Sequence, residues 1–235
     1  MALQAYVLAK DLTFGGVGVS KNPKKAIEMY QRAADLGYVR SLIDLGLCYQ
    51  CGAGVTKDEK KAIELFQRAA DMGNSSGVLN LGACYYSGTG VEENEKKAFE
   101  LFQRAADMGN AMAIHNLGVC YFDGTGVAED EKKAVEMYER ASEMGVVDAM
   151  LNLAECYKGG QGVRQDEKKA FELFQRASDL GSAKAMLQLG FCFFNGTGTE
   201  RDSEKANELW KRASEMDDVE VRQIIDKLGL IWWMK

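Results

Sequence analysis

The sequence predicts an all-α chain: a right-handed α-solenoid of helix–loop–helix units with a 36-residue period. Three observations carry the repeat and its helices. The string Lys-Lys-Ala falls at 24–26, 60–62, 96–98, 132–134 and 168–170, and a degraded form follows at Glu204-Lys205-Ala206. Cys48, Cys84, Cys120, Cys156 and Cys192 keep the same step, as do Gly54, Gly90, Gly126, Gly162 and Gly198. Between these markers apolar residues recur at three- and four-residue steps, the pattern of amphipathic helices. Six units fit without insertion, at about 3-38, 39-74, 75-110, 111-146, 147-182 and 183-218, and a capping helix and tail are expected at 219-235. The handedness rests on a resemblance described below.

The unit at 111–146 gives the elements in order. Ala113, Leu117, Cys120 and Tyr121 share one face of a first helix over 111–123. Gly124-Thr125-Gly126-Val127 breaks it, because glycine takes positive φ without a Cβ penalty. Asp130 stands where its carboxylate can accept from orphan N–H groups, so it is the expected N-cap of a second helix. That helix runs from about Glu131 to Met144, with Ala134, Met137, Tyr138 and Ala141 inward and a Glu136–Arg140 pair on the wet side. Gly145 ends it. In the first unit Asn22-Pro23 fills the capping role, with proline where no N–H is missed.

Gly46, Gly82, Gly118 and Gly190, with Ala154 in the fifth unit, are small residues in register inside first helices. Glycine there costs about 1 kcal/mol against alanine, so close approach of helix backbones is expected in return. Tyr49, Tyr85, Tyr121, Tyr157 and Phe193 supply rings from first helices. Phe66, Phe102, Tyr138, Phe174 and Trp210 supply them from second helices. Only stacked neighbours could bury so many rings, which predicts a single domain with one continuous core.

The pattern Ala-x3-Leu-Gly-x2-Tyr-x2-Gly-x-Gly-Val-x2-Asp-x3-Ala, from Ala113 to Ala134, resembles the Sel-one-like repeat family of tetratricopeptide-like helical repeats. The glycine-rich loop separates it from ordinary tetratricopeptide units, whose period is about 34 residues. The resemblance covers essentially the whole chain. It implies a right-handed superhelix whose first helices line the concave side, and an adaptor or scaffold role with no particular partner. The family's cysteine-rich branch carries a second cysteine in each second helix. Here the matching places hold Ala69 or Ala70, Ala105 or Ala106, and Ala141 or Ser142, which argues against that disulfide-stapled, secreted subtype.

Composition narrows the function classes. Apolar residues make up 46% and charged ones 27%, as in an ordinary soluble globular protein. The chain has 35 acids against 29 bases, a net charge of -6, and no lysine- or arginine-rich block, which argues against nucleic acid or an anionic membrane as partner. No apolar run approaches the ~18–20 residues of a membrane span. Met1 to Lys10 lacks a basic start, and Lys10 and Asp11 cut the apolar stretch short, so no signal peptide and a cytoplasmic location are expected.

Catalytic, metal and cofactor sites are not expected. The chain has one histidine, His115. Copies of one repeat position stack roughly 10 Å apart, beyond the ~7 Å a disulfide spans. The in-register cysteines are therefore expected to be reduced, buried core residues. Cys48-x-x-Cys51 has no second CxxC and no βαβ context. Gly88-Thr89-Gly90 and its copies lack the third glycine of a dinucleotide loop and any Gly-Lys-Ser/Thr. Some members of the cysteine-rich branch are linked to penicillin binding, but Ser-x-x-Lys is absent from this chain. Asn74-Ser75-Ser76 and Asn195-Gly196-Thr197 are sequons that have no use without secretion. The paired lysines, such as Lys132-Lys133, read as a solvated face. Leu230-Ile231-Trp232-Trp233-Met234 is expected to fold over the last unit.

Recognition is expected where the copies differ while their packing positions stay fixed. One first-helix column reads Gln4, Arg40, Ser76, Met112, Asp148, Lys184. One turn later a second reads Leu8, Asp44, Asn80, Asn116, Asn152, Gln188, and a third reads Asp11, Leu47, Ala83, Val119, Glu155, Phe191. Steps of four and three residues place them on one helical stripe. His115 is expected beside it as a contact residue. Asn80, Asn116 and Asn152 are expected to point into the groove, exposed to water, because an amide both donates to and accepts from a peptide backbone. A repeat spacing near 10 Å matches about three extended residues at ~3.3 Å each. The chain thus reads as a monomeric, non-enzymatic scaffold that holds a protein segment in a concave groove without a cofactor. The alternatives are an enzyme or ligand-binding member acting on cell-wall-type material, and a consensus-like solenoid with no dedicated partner.

Overall fold

A computed structural model describes residues 1–16 and 18–230. Among the described residues there are thirteen helices. The first helices of the repeats are α1 (Ala2–Phe14), α3 (Arg40–Cys51), α5 (Ser75–Ser87), α7 (Ala111–Asp123), α9 (Val147–Gly159) and α11 (Ala183–Asn195). The second helices are α2 (Pro23–Asp35), α4 (Glu59–Asp71), α6 (Glu95–Asp107), α8 (Glu131–Glu143), α10 (Glu167–Asp179) and α12 (Ser203–Glu215), and α13 (Val219–Leu228) follows. None of them is long and apolar enough to cross a membrane. The chain is an all-α helical-repeat solenoid. Its residues gather into two compact units, Met1–Asn116 with Thr125–Ala128, and Leu117–Gly124 with the residues from Glu129 onward.

Polar caps set the helix ends. Every second helix opens on an aspartate or asparagine whose side chain accepts from the N–H three residues on, as in Asp58 to Lys61 and Asp166 to Lys169, both at 3.0 Å. Pro23 sits in the first turn behind Asn22, which accepts from the Lys25 N–H. First helices close on left-handed glycines, among them Gly52, Gly88, Gly160 and Gly196. Each donates its N–H to the carbonyl of the in-register cysteine, for example Gly160 to Cys156 at 2.8 Å. The column is therefore fixed at the backbone as well as by burial.

The small residues inside first helices receive rings rather than backbones. A Cβ on Gly46 would stand 2.5 Å from the Phe66 ring, and one on Gly118 2.5 Å from the Tyr138 ring. The expected backbone-on-backbone approach is thus a ring-on-backbone contact inside each repeat. Contact between repeats occurs at the second loop glycine. Gly162, at φ 66°, donates its N–H to a Glu131 carboxylate oxygen at 2.9 Å, and an added Cβ would collide with the Glu131 carbonyl.

The two ring columns differ. Phe66, Phe102, Tyr138, Phe174 and Trp210 from second helices are buried. Tyr49, Tyr85, Tyr121 and Phe193 from first helices are only half-buried, which corrects the core assignment made from sequence. Their faces are covered by the second lysine of each pair. Lys61 lies 4.4 Å from the Tyr49 centroid, Lys97 4.1 Å from Tyr85 and Lys169 4.8 Å from Tyr157. Both lysines of each pair stay exposed, as a solvated face requires, and the second also meets the ring through its quadrupole. Glu136 and Arg140 form no ion pair. At the neighbouring wet positions Gln67 donates to Asp71 at 2.7 Å and Gln175 to Asp179 at 2.9 Å.

In the first unit the core is built on Tyr30, Leu42, Leu45, Phe66, Val78 and Phe102. In the second it includes Tyr138, Met150, Phe174, Leu189 and Trp210, and α13 adds Val221 and Ile225 to that cluster. The tail beyond Leu230, with Trp232 and Trp233, lies outside the described residues. Cys48, Cys84, Cys120, Cys156 and Cys192 are buried free thiols and Cys51 is exposed. Burial pushes the Cys48, Cys84, Cys156 and Cys192 thiols up to about 11, away from the thiolate that a nucleophile or a metal ligand requires.

Candidate protein-binding face

The first helices position the three variable columns. In the first unit Arg40, Leu47, Ala83 and Met112 are exposed, while Asp44, Ser76, Asn80 and Asn116 are half-buried. In the second, Asp148 and Lys184 are exposed, and Val119, Asn152, Glu155, Gln188 and Phe191 are half-buried. Water reaches every column, but unevenly.

Several side chains are already engaged. Asn80 donates to its own helix at the Ser76 carbonyl at 2.7 Å. Asn116 Oδ1 lies 3.2 Å from His115 Nδ1. Asn152 hydrogen-bonds the Tyr138 hydroxyl across from α9 to α8. The amides are therefore not the fully water-exposed groups that the sequence suggests. The physical reason is local: a short amide on a helix reaches a carbonyl one turn back or the neighbouring helix before it reaches solvent. His115 is a second correction. It is 9% exposed, because its column otherwise holds Ile43, Leu79, Leu151 and Leu187 and turns toward the core.

Charge on the face is likewise partly neutralised. Asp44 pairs with Lys10 at 3.4 Å, and burial together with the Asp44 carboxylate drives the titration of Tyr6 well above the ordinary phenol range. The other Asp44 oxygen is enclosed without a hydrogen-bond partner. Lys184 is held by Glu220 of α13 at 2.8 Å, a contact that keeps its ammonium charged. Phe191 packs edge-on against Trp210, with ring centroids 5.3 Å apart, so it serves the core as well as the surface.

The second unit holds a concavity of about 280 Å3 lined by Val119, Phe122, Asp123, Tyr138, Asn152, Glu155 and Cys156. It brings together three of the expected residues, Val119, Asn152 and Glu155. Phe122, Asp123 and Tyr138 were not among the candidates. A signal for Asp123 was available: its column reads Gly15, Cys51, Ser87, Asp123, Gly159, Asn195, as variable as any on the stripe. Tyr138 gave none, because its ring belongs to the core column and only its hydroxyl reaches the pocket side.

Repeated helix pairs with a fixed core and variable exposed first-helix columns define a helical-repeat protein of the kind that presents a surface to other molecules. A family model described as Sel1 repeat matches residues 5–38, 39–74, 75–110, 111–146, 147–182 and 183–218. The chain belongs to the Sel1 repeat family, whose members are generally protein-interaction scaffolds. Among solved structures it is similar to a Sel1 repeat protein from Oxalobacter formigenes, at 27% identity, TM-score 0.82, 93% of this chain and 87% of that one. It is also similar to c5321, a protective antigen of uropathogenic Escherichia coli with an SLR fold, at 27% identity and TM-score 0.77, covering 98% of this chain and 50% of that one. The immunity protein Pa5087 from Pseudomonas aeruginosa shares the fold at 23% identity and TM-score 0.67, over 90% of this chain and 80% of that one. No curated protein matches the sequence.

Proposed function

We propose that this chain is a non-enzymatic interaction scaffold that holds a segment of a protein partner against the stripe of its first helices. The observation that supports it is the contrast between columns. Positions that pack repeat chemistry every 36 residues, while Arg40, Ser76, Met112, Asp148 and Lys184 reach water with five different side chains. Selection for packing alone has no use for that variety. Recognition works by display: exposed side chains choose the partner's side chains, and polar atoms between them meet its backbone. Buried thiols with raised pKa, and a histidine held in an aliphatic column, give the face no activated nucleophile or base. The test is capture of a partner from the source cell with the intact chain and with two variants. Leu47→Glu/Ala83→Glu/Met112→Glu should abolish capture, and Lys60→Glu/Glu64→Lys on α4 should leave it unchanged. The opposite pattern would move recognition to the second helices.

A further inference from the structure

We infer that the concavity between α7 and α9 is the specificity pocket of the second unit, and that it receives an arginine side chain of the bound segment. This rests on the scaffold reading and adds the chemistry of the partner. At about 280 Å3 the pocket is at or below the ~300–1,000 Å3 of small-molecule sites, a size that suits one long side chain. Its walls are of two kinds. Val119 and Phe122 present apolar and aromatic surface for an aliphatic stem and a planar cation, and the Tyr138 hydroxyl adds a polar atom. Asp123 and Glu155 supply carboxylates, and Asn152 an amide. Asp123 forms no ion pair among the described residues, so the site carries negative charge awaiting a counterion.

One of these carboxylates already has a cation partner on its own helix. Lys158, three residues along α9, reaches Glu155 at 3.1 Å, with both side chains well exposed. An exposed pair of this kind is weak, so an incoming guanidinium displaces it at little cost and gains a bidentate geometry that an ammonium lacks. The lining chemistry changes along the chain. One repeat on, the place of Glu155 is taken by Phe191, which with Phe194 covers Trp210 at centroid distances of 5.3 and 5.7 Å. A lysine, a neutral side chain or an acidic one would forgo the stacking, the charge or both.

The experiment is selection of a displayed library of random twelve-residue peptides on the intact chain, followed by affinity measurement of the selected peptides. Enrichment of arginine at one peptide position is expected. Arg→Lys at that position should weaken binding about threefold, and Arg→Ala tenfold or more. On the protein, Asp123→Asn/Glu155→Gln should cost about tenfold with an unchanged melting temperature. Lys158→Gln should tighten binding about twofold by removing the internal competitor, an effect that a purely structural role would not give. Peptides that bind without arginine, that are lost with Leu47→Glu/Ala83→Glu/Met112→Glu and that are indifferent to Asp123→Asn/Glu155→Gln would overturn the pocket and leave the scaffold standing. Failure to select any peptide that needs the first-helix stripe would overturn both.

Discussion

Gly118 and Tyr138 show how finely single positions are matched. The ring lies where a Cβ on Gly118 would be, 2.5 Å away, so Gly118→Ala replaces a helix-propensity gain with overpacking. A net loss of about 1–3 kcal/mol is expected by urea denaturation. The asparagines separate by partner. Asn80→Ala forfeits only a bond to its own helix and should be near neutral. Asn152→Ala removes the bond to the Tyr138 hydroxyl and should cost about 0.5–1.5 kcal/mol. The buried thiols predict an alkaline limit. Their folded pKa is raised from 9.0 to about 11, so between those values the native state keeps protons that the unfolded chain releases. This stability is complete below pH 9 and is lost as pH rises through about 11. Denaturation midpoints at pH 8.5, 10 and 11 should fall in that order. In the native state a thiol reagent should titrate Cys51 first and the other five thiols only after unfolding.

Within a repeat, the second helix is defined by its ends and by one lysine. Asp166 caps α10 through the Lys169 N–H, and Asp166→Ala should cost about 1 kcal/mol with no change in the folded far-ultraviolet spectrum. The same Lys169 sits over the Tyr157 ring. Lys-Lys-Ala therefore has a division of labour that its sequence hides: both lysines face water, the second also lies across a first-helix ring, and the alanine is buried. Caps were legible because their chemistry is local. The lysine–ring contact was not, because it joins residues 12 apart whose meeting depends on how α9 and α10 pack.

For the molecule as a whole, α13 is the element whose loss should matter most. Val221 and Ile225 are buried in one cluster with Leu189 and Trp210. Removing residues 219–235 opens that cluster to water, so a lowered melting temperature and light-scattering aggregates are expected; an unchanged, monomeric melt would show that the last repeat closes itself. The helical-repeat architecture was legible from the 36-residue period, and its likeness to Sel1 repeats from the pattern between Ala113 and Ala134. The candidate face was legible as a set of columns, since a stripe follows from helical geometry alone. Its accessibility was not, as His115 and Phe191 show.

The sequence by itself determined the helices, their caps, the period and the membership of each column, because these follow from 3.6-residue periodicity, cap chemistry and glycine's φ range. Tertiary structure decided which columns water reaches and which polar groups are already occupied. Asn152 meets Tyr138, Asp44 meets Lys10 and Tyr6, and Asp123 joins Glu155 at one pocket. These meetings join neighbouring repeats, so they depend on how one helix pair stacks on the next, and no spacing along the chain encodes them.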